Sequence, residues 1–461
     1  MAERQYRGHR ARLTVSSGLE ARLDAQAHAT RALWNLLHEW WEMLPRDKRT
    51  LEAADAAIRL ARKEIDWLAV LPAQAAQTVL KAYVQAWKNC WEGRADAPKF
   101  KARCRSVMSV DIPQGRDLQV ERVHRRWGLV NIPKAGRVRF RWTKDLPIGK
   151  QAHADNRITG ARLVKDSLGW HIVFRVQTVE SKVEPHAGPE VGIDLGVAVP
   201  LALSDGETRT HREWLTDKEQ ATLLLLEQRA ACKESFRKRG EPVSNRLRAT
   251  YDQIAVIRAR AKRRALDWQH QTTTQIARTY GVIVVEDLAI PNMVKSAKGT
   301  VETPGKNVAR KSSLNRSIGQ EAWGRTVTML AYKSARYGGS LYKVPSRGTS
   351  RRCSMCGLTT SGSRESQAMF VCKNPLCGWV GNADHNAARN ILHLYRMGHA
   401  LVPAAGRAVV RRACTSNPSA QARRKSSMPV SESTPKPRLP ASSLPQSHTM
   451  RESGARVTLV P

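Results

Sequence analysis

Residues 191–197, Val-Gly-Ile-Asp-Leu-Gly-Val, decide the reading of this chain. An apolar strand ends there on one carboxylate, Asp194, and Gly196 lets a ligand or neighbouring backbone approach closely. The chain runs on through Ala198 to Leu203 and into a Ser204-Asp205-Gly206 turn, so an antiparallel hairpin is expected over 190–204. Further along, Val282-Ile-Val-Val reads as a buried strand from its unbroken β-branched run. It ends on Glu286, where a charge is costly without a purpose, and Asp287 is equally able to face a site there. A third acid, Asp384, stands in Asn382-Ala-Asp-His-Asn-Ala-Ala, at the start of a helix expected over 384–396. Adjacent strands and one helix N-terminus can bring three such carboxylates together. Hard oxygen ligands of this kind hold Mg2+ or Mn2+, and two ions about 4 Å apart would activate a water and stabilise the leaving oxygen in phosphodiester cleavage. Singly, each acid also has an ordinary role open to it: Asp194 as a turn cap, Glu286 as a surface strand end, Asp384 as a helix N-cap.

Four of the eight cysteines cluster late in the chain, as Cys353-x2-Cys356 followed after 15 residues by Cys372-x4-Cys377. Two thiolate pairs at this separation suit one tetrahedral Zn2+, with the first three ligands spaced as in a zinc ribbon. Gly357 and Gly378 each directly follow a ligand, where a tight knuckle turn favours glycine. The second knuckle departs from that pattern by two extra residues around Pro375. Protein fills all four positions, so the expected ion is structural; four metal-free structural cysteines are the alternative. Cys90, Cys104, Cys232 and Cys414 are scattered, which fits a reducing cytoplasm better than a disulfide framework.

The length of 461 residues allows about three domains. Lys and Arg number 77 against 40 Asp and Glu, a formal net charge of +37. That excess argues against a generic metabolic enzyme and points to a polyanion, nucleic acid before an acidic membrane surface. No apolar run approaches the roughly 20 residues a membrane span needs, and Met1–Arg12 is charged without the apolar segment of a signal peptide. Thirteen Trp stand against five Phe; most are expected in the core, with base stacking as the minority use.

Residues 7–16 alternate as an exposed strand does, and helical spacing follows from Leu23 to Trp91, as in Leu33, Leu37 and Trp40, then Val79, Tyr83 and Trp87. This helical module ends in the basic segment Ala97-Pro-Lys-Phe-Lys. Strands are expected between 106 and 177, at Leu118–Val123, Leu129–Ile132, Val138–Trp142 and Trp170–Val176. Their outward arginines suit a phosphate-facing sheet and a solvated face equally. Residues 216–279 read as helical and basic, 295–311 as a Lys/Gly/Ser-rich mobile loop, and Leu314–Tyr337 as one helix. From Pro403 the chain is Pro/Ser/Arg-rich and expected to be disordered.

In order, Gly192-Ile-Asp-Leu-Gly, Val285-Glu-Asp-Leu, the four cysteines and Asp384-His-Asn-Ala-Ala-Arg-Asn-Ile resemble the RuvC-like nuclease of TnpB proteins, which compact type V CRISPR effectors share. Leu314-Asn-Arg-Ser-Ile, Trp323-Gly, Leu330-Ala-Tyr-Lys and Tyr337-Gly resemble the family helix before the cluster, and Thr349-Ser350 resembles the approach to Cys353. The likeness is close over about 190–400 and looser over 1–189, where it rests on element order and Pro98-Lys-Phe-Lys.

The resemblance implies an α+β, multidomain, bilobed RNA-guided DNA endonuclease. A wedge-type β-barrel (1–19 and 104–188) would be interrupted by a helical recognition domain (20–103). An RNase H-like (RuvC) α/β nuclease (189–340 and 381–402) would carry the zinc module (341–380) as an insertion, and a basic tail (403–461) would follow. Asp194, Glu286 and Asp384 would be the catalytic Mg2+ or Mn2+ ligands, and Cys353, Cys356, Cys372 and Cys377 the Zn2+ ligands. A guide RNA would pair with one strand of a target double-stranded DNA while the protein reads backbone shape and a short flanking motif. Lys99 and Lys101 would contact nucleic acid. Gln74 or Gln77 would pair bidentately with adenine in the major groove, although a solvated helix face explains both equally. The setting would be the prokaryotic cytoplasm, at the nucleoid, without a membrane, and a homodimer stays open. The motifs do not separate TnpB from CRISPR effector. The rival readings are an RNA-independent transposase or recombinase with the same RNase H-like site, an RNA-guided repressor that does not cut, and a zinc-containing structural nucleic-acid-binding protein.

Overall fold

The computed structural model describes residues 4–45, 48–103, 106–179, 183–238, 240–300 and 302–401. The tail expected to be disordered, 403–461, lies outside the described residues, as do Cys104 and Cys414.

The first half is built on one antiparallel sheet. Strand β1 (Arg4–Thr14) alternates exposed arginines with inward residues, and Ala11 and Leu13 at its end are buried. The chain then leaves the sheet as four helices, α1 (Ser17–Met43), α2 (Leu51–Glu64), α3 (Asp66–Ala69) and α4 (Ala73–Trp91), before it returns. Ser16 caps α1 by accepting from the Leu19 N–H, and Thr50 caps α2 from Ala53. Leu33, Leu37 and Trp41 of α1 pack on Val79, Leu80 and Tyr83 of α4, with Trp34 and Trp41 edge-on to the Tyr83 ring at 5.2 and 5.7 Å.

Six further strands follow: β2 (Ser109–Ile112), β3 (Glu121–His124), β4 (Trp127–Ile132), β5 (Gly136–Arg141), β6 (Asn156–Asp166) and β7 (Gly169–Val179). The sheet order is β2-β6-β7-β1-β5-β4-β3. Residues 4–12 of β1 pair with β7, while Leu13 and Thr14 pair with β5, so β1 joins two groups of strands. Among the described residues the end strands β2 and β3 do not pair with each other. The sheet is therefore a half-barrel, where the sequence reading expected a barrel. The strand expected from Leu118 starts later, at Glu121, because Gly115–Leu118 forms a 3-10 turn that buries Leu118.

The second half is a five-stranded sheet ordered β10-β9-β8-β11-β12. Strand β9 (Leu201–Leu203) is antiparallel to both its neighbours, β8 (Glu190–Asp194) and β10 (Thr208–Arg209), and β8 and β9 form the expected hairpin. Strands β11 (Val282–Glu286) and β12 (Ser340–Val344) run parallel to β8. Period-two alternation assigns the faces. Val191, Ile193, Ile283, Val285 and Leu341 pack against α6 (Asn245–Thr279), α8 (Val308–Glu321) and α9 (Trp323–Arg336). Val284 and Val344, on the other face, pack against α10 (Ala383–Arg396). The helices α5 (Asp217–Ser235) and α6 form a hairpin around Leu226, Leu247 and Ile254, and α7 (Ile290–Met293) follows β11.

The single helix expected over 314–337 is two, α8 and α9, broken at Ala322, which has φ 49°. The break turns the Trp323 indole N–H to the Gly196 carbonyl, 3.2 Å away, so the helix pair is pinned to the loop after β8. Between β12 and α10 lies the cysteine cluster with its two-stranded ribbon, β13 (Met369–Val371) and β14 (Val380–Asn382). No helix among the described residues is long and apolar enough to cross a membrane.

Helix α10 lies directly on β8. A Cβ on Gly192 would stand 2.2 Å from the Ala388 carbonyl oxygen and 2.8 Å from the Leu392 nitrogen. Gly192→Ala should therefore destabilise the protein by about 1–3 kcal/mol through overpacking, read as a lower urea midpoint. An unchanged midpoint would mean that helix and strand are not packed this closely.

Candidate active site and metal centres

Three carboxylates meet at one end of the second sheet. Val285 pairs with Ile193 across β11 and β8, so the next residue of each strand is Glu286 and Asp194. Both share the parity of Gly192 and Val284, the face on which α10 lies. Helix α10 runs antiparallel to β8. Arg396 near its end donates to Glu190 at the strand start (2.9 Å), and Ala388 lies over Gly192. Its first turn, with Asp384, is thereby carried to the Asp194 end. Asn382 caps the helix by accepting from Asp384 N and His385 N (2.9 and 3.1 Å), so Asp384 is not the cap and its side chain is left for other use.

The electrostatics agree with this placement. Burial, and then the charges of Glu286 and Asp384, push the Asp194 carboxyl up to about 7, against the pull of Arg364 and of the Leu195 N–H. Burial also raises Glu286, while a hydrogen bond from the Thr349 hydroxyl pulls it down. Asp287 is exposed and pairs with Lys343 at 2.7 Å, so Glu286 is the acid of this strand end that faces the cluster. Three acids held together in a half-dry site favour a cation, which is the donor chemistry of a Mg2+ or Mn2+ centre. Among the described residues the four thiols form a group whose ligand atoms all lie within 4.8 Å of one another, and the three carboxylates do not form such a group.

The four cysteines converge as a compact metal-type cluster. Cys353 Sγ is 3.9 Å from Cys377 Sγ, and Cys356 Sγ is 3.7 Å from Cys372 Sγ. Sulfurs at the corners of a tetrahedron about 2.3 Å from a central zinc are about 3.8 Å apart, and a disulfide would need about 2.05 Å. Both knuckles close by backbone bonds, Gly357 N to Cys353 O and Gly378 N to Asn374 O, with left-handed glycines at φ 75° and 55°. The two extra residues of the second knuckle are absorbed in that Asn374–Gly378 turn, which leaves Leu376 97% exposed.

The nucleic-acid candidates are dispersed. Gln77 is exposed on α4, while Gln74 is half-buried and donates to Gln114 Oε1 at 3.3 Å. Lys99 is exposed beside Asp96. Lys101 is folded onto the Trp34 ring, 3.4 Å from its centroid, and burial, then Arg162, lowers its pKa to about 8.

Sequence reasoning missed two side chains of the acid cluster. Arg364 of the cysteine module donates to Asp384 Oδ1 at 3.2 Å, and no motif marks it. Thr349 bonds Glu286; its neighbourhood was legible only as the approach to Cys353.

Comparison with known proteins now places the chain. The family model described as "Cas12f1-like, TNB domain" matches residues 323–391, and the one described as "Probable transposase" matches 171–297. The chain is 36% identical over 344 residues to the Escherichia coli (strain K12) protein named "Putative RNA-guided DNA endonuclease InsQ", covering 74% of this chain and 78% of that one. The chain belongs to the TnpB and compact type V effector family. A second family member, from Streptomyces pristinaespiralis and named "Putative RNA-guided DNA endonuclease", is 26% identical over 336 residues, 72% of this chain and 73% of its own. A short, closer likeness, 47% over 62 residues, links the chain to the CRISPR-associated endodeoxyribonuclease Cas12f1 of Sulfoacidibacillus thermotolerans, covering 13% of this chain and 14% of that one. As in the sequence reading, these likenesses span both the transposon-borne and the CRISPR branches of the family.

The raised Asp194 carboxyl has a measurable consequence. Between its unfolded value near 4 and about 7 the folded protein holds a proton that the unfolded chain has released, so this group's contribution to stability falls as pH rises through that window. Without added divalent ion, Asp194→Asn should gain on the native protein from pH 5 to pH 8, by roughly 2–3 kcal/mol in urea denaturation. A constant difference across that range would contradict the clustered-acid geometry.

Proposed function

We propose that this protein is an RNA-guided DNA endonuclease that cuts target DNA by divalent-metal-dependent phosphodiester hydrolysis at Asp194, Glu286 and Asp384. The observation that carries the proposal is the meeting of these acids, 92 and 98 residues apart in sequence, in a chain 36% identical to a relative named as an RNA-guided DNA endonuclease. The sheet order, with three antiparallel strands followed by two parallel ones and a final helix over the acids, supports an RNase H-like (RuvC) nuclease over 189–340 and 381–402. The half-barrel supports a wedge domain (1–19 and 104–188), interrupted by a helical recognition domain (20–103). The cysteine module, 341–380, would hold Zn2+ in a structural role through Cys353, Cys356, Cys372 and Cys377.

The three carboxylates would hold Mg2+ or Mn2+, which supplies an activated water and charge stabilisation at the scissile phosphate. The chain's own residues do the rest. Asp194 and Glu286, fixed on neighbouring strands, and Asp384, fixed in a capped first helical turn, hold their oxygens without a loop that must order first. The Arg364 guanidinium, beside Asp384, is placed to face a phosphate entering the cluster. Basic surfaces supply the grip. Arg137, Arg139 and Arg141 project from one face of β5, two of them over the Trp127 ring, and Arg12, Arg260, Arg263 and Arg264 line a cleft of about 490 Å³. Guide RNA and target duplex would lie on such surfaces, with base pairing reading the sequence. Lys99, Lys101, Gln74 and Gln77 would contribute at the recognition helices, Gln77 being the freer of the two amides to meet a base edge.

The test is guided cleavage with the RNA that copurifies from the native locus. Asp194→Ala should keep RNA and target binding and lose cutting by several orders of magnitude; wild-type cutting by this variant in Mg2+ rejects the assignment. Cutting without RNA would favour the transposase reading. Metal analysis of the purified chain should find about one zinc, released by mutation of Cys372, and its absence would remove the zinc assignment.

A further inference from the structure

Thr349 lies at the junction of the acid cluster and the cysteine module, and it is 3% exposed. Its hydroxyl has one proton and two acceptors in reach, the Glu286 carboxylate and the Ser346 carbonyl at 3.1 Å. The charge-assisted bond is the stronger, so the proton goes to Glu286 Oε1. That bond occupies one Glu286 oxygen and leaves the other for an ion. Two buried amides of α10 hold the segment that follows. Asn390 donates to the Thr349 carbonyl (2.8 Å) and to the Arg352 carbonyl (2.6 Å). Asn386 donates to the Arg352 carbonyl (2.7 Å) and accepts from Ser354 N (2.8 Å). Asn386 and Asn390 are 0% and 2% exposed, and their positions one turn apart tie residues 349–354 to the helix that carries Asp384. Cys353 sits inside that clamped segment.

We propose that Thr349 is a positioning residue through which the ion in the cysteine cluster sets the orientation of Glu286, and with it the affinity of the carboxylates for their divalent ion. The inference rests on the nuclease reading above. A filled cysteine site fixes Cys353. Cys353 fixes Arg352 and Ser354 against the two asparagines. The same asparagines hold Thr349, whose hydroxyl aims Glu286. An empty site leaves four thiols without the charge that gathers them and slackens the segment at its centre.

Mn2+ binding to the full-length chain without RNA, measured by calorimetry with Asp194→Ala as the background, tests this apart from catalysis. Thr349→Val keeps the shape and removes the hydroxyl; it should weaken the Asp194-dependent Mn2+ affinity roughly tenfold or more, as loss of partners behind metal ligands commonly does. Thr349→Ser should restore most of it. Neither change should alter guide-RNA affinity. Stripping zinc from the wild type should weaken Mn2+ binding similarly, and stripping Thr349→Val should weaken it little further, because both act through one bond. Wild-type Mn2+ affinity in a folded Thr349→Val overturns the proposal, as does full additivity of stripping and mutation. If Thr349→Val does not fold by thermal melting, the stripped wild type decides, and an unchanged affinity there overturns it. Mn2+ binding that survives Asp194→Ala would instead defeat the nuclease-site assignment itself.

Discussion

The contact of two backbones at Gly192 governs the second half of the molecule. No side chain separates α10 from β8 there, so the helix has one height above the sheet, and the Arg396–Glu190 pair at its far end sets its direction. With both fixed, the first turn of α10 can fall only near the ends of β8 and β11. The position of Asp384 follows from packing and not from any attraction between the acids, which repel one another. Electrostatics alone would move them apart; the sheet register and the close helix approach hold them together against it.

The work done against repulsion is visible in the acids themselves. Asp194, the most enclosed, is pushed up to about 7 because its charged form is poorly solvated and faces two like charges. Partial relief comes from two side chains at the edge of the site. Arg364 bonds Asp384, and Thr349 bonds Glu286. Both come from the chain between β12 and α10, the stretch that also carries the four cysteines. A segment that looks in sequence like an independent zinc ribbon is, in space, part of the wall of the acid cluster.

Much of this was legible in the sequence because it rests on local patterns. Apolar runs that end on an acid marked β8 and β11, and Asn382-Ala-Asp-His-Asn-Ala-Ala marked the start of α10. Knuckle spacing with the trailing glycines gave the thiol cluster, whose sulfurs meet at tetrahedral separations. The failures are non-local. Gly196 does admit a close backbone, the Val199 carbonyl, but Gly192, mid-strand, was not singled out and admits the helix; a glycine inside a strand is the signal, and only the fold says what approaches it. The break at Ala322 accompanies the bond from the Trp323 indole to the Gly196 carbonyl, a contact across 127 residues that no local pattern shows. The placement of the Lys101 ammonium over the Trp34 ring, 67 residues earlier, is likewise a long-range contact that no local pattern marks. An open half-barrel and a closed barrel share the same alternation, so strand patterns could not tell them apart.

The contrast between the whole chain and its acid cluster bears on how such a site selects its moment of action. A net charge of +37 draws any polyanion to the surface, without regard to sequence. The acids reverse the sign locally, so a phosphate brought by the arginines meets repulsion where cutting would occur. Arg364, 30% exposed, offsets one of three negative charges. Under the proposed mechanism divalent ions would supply the balance, and their retention would depend on how well three oxygens are aimed. On the proposed reading, affinity for nucleic acid would belong to the surface and permission to cut to the buried acids. The residues that aim the acids would then tune cutting without altering how tightly the strand is held.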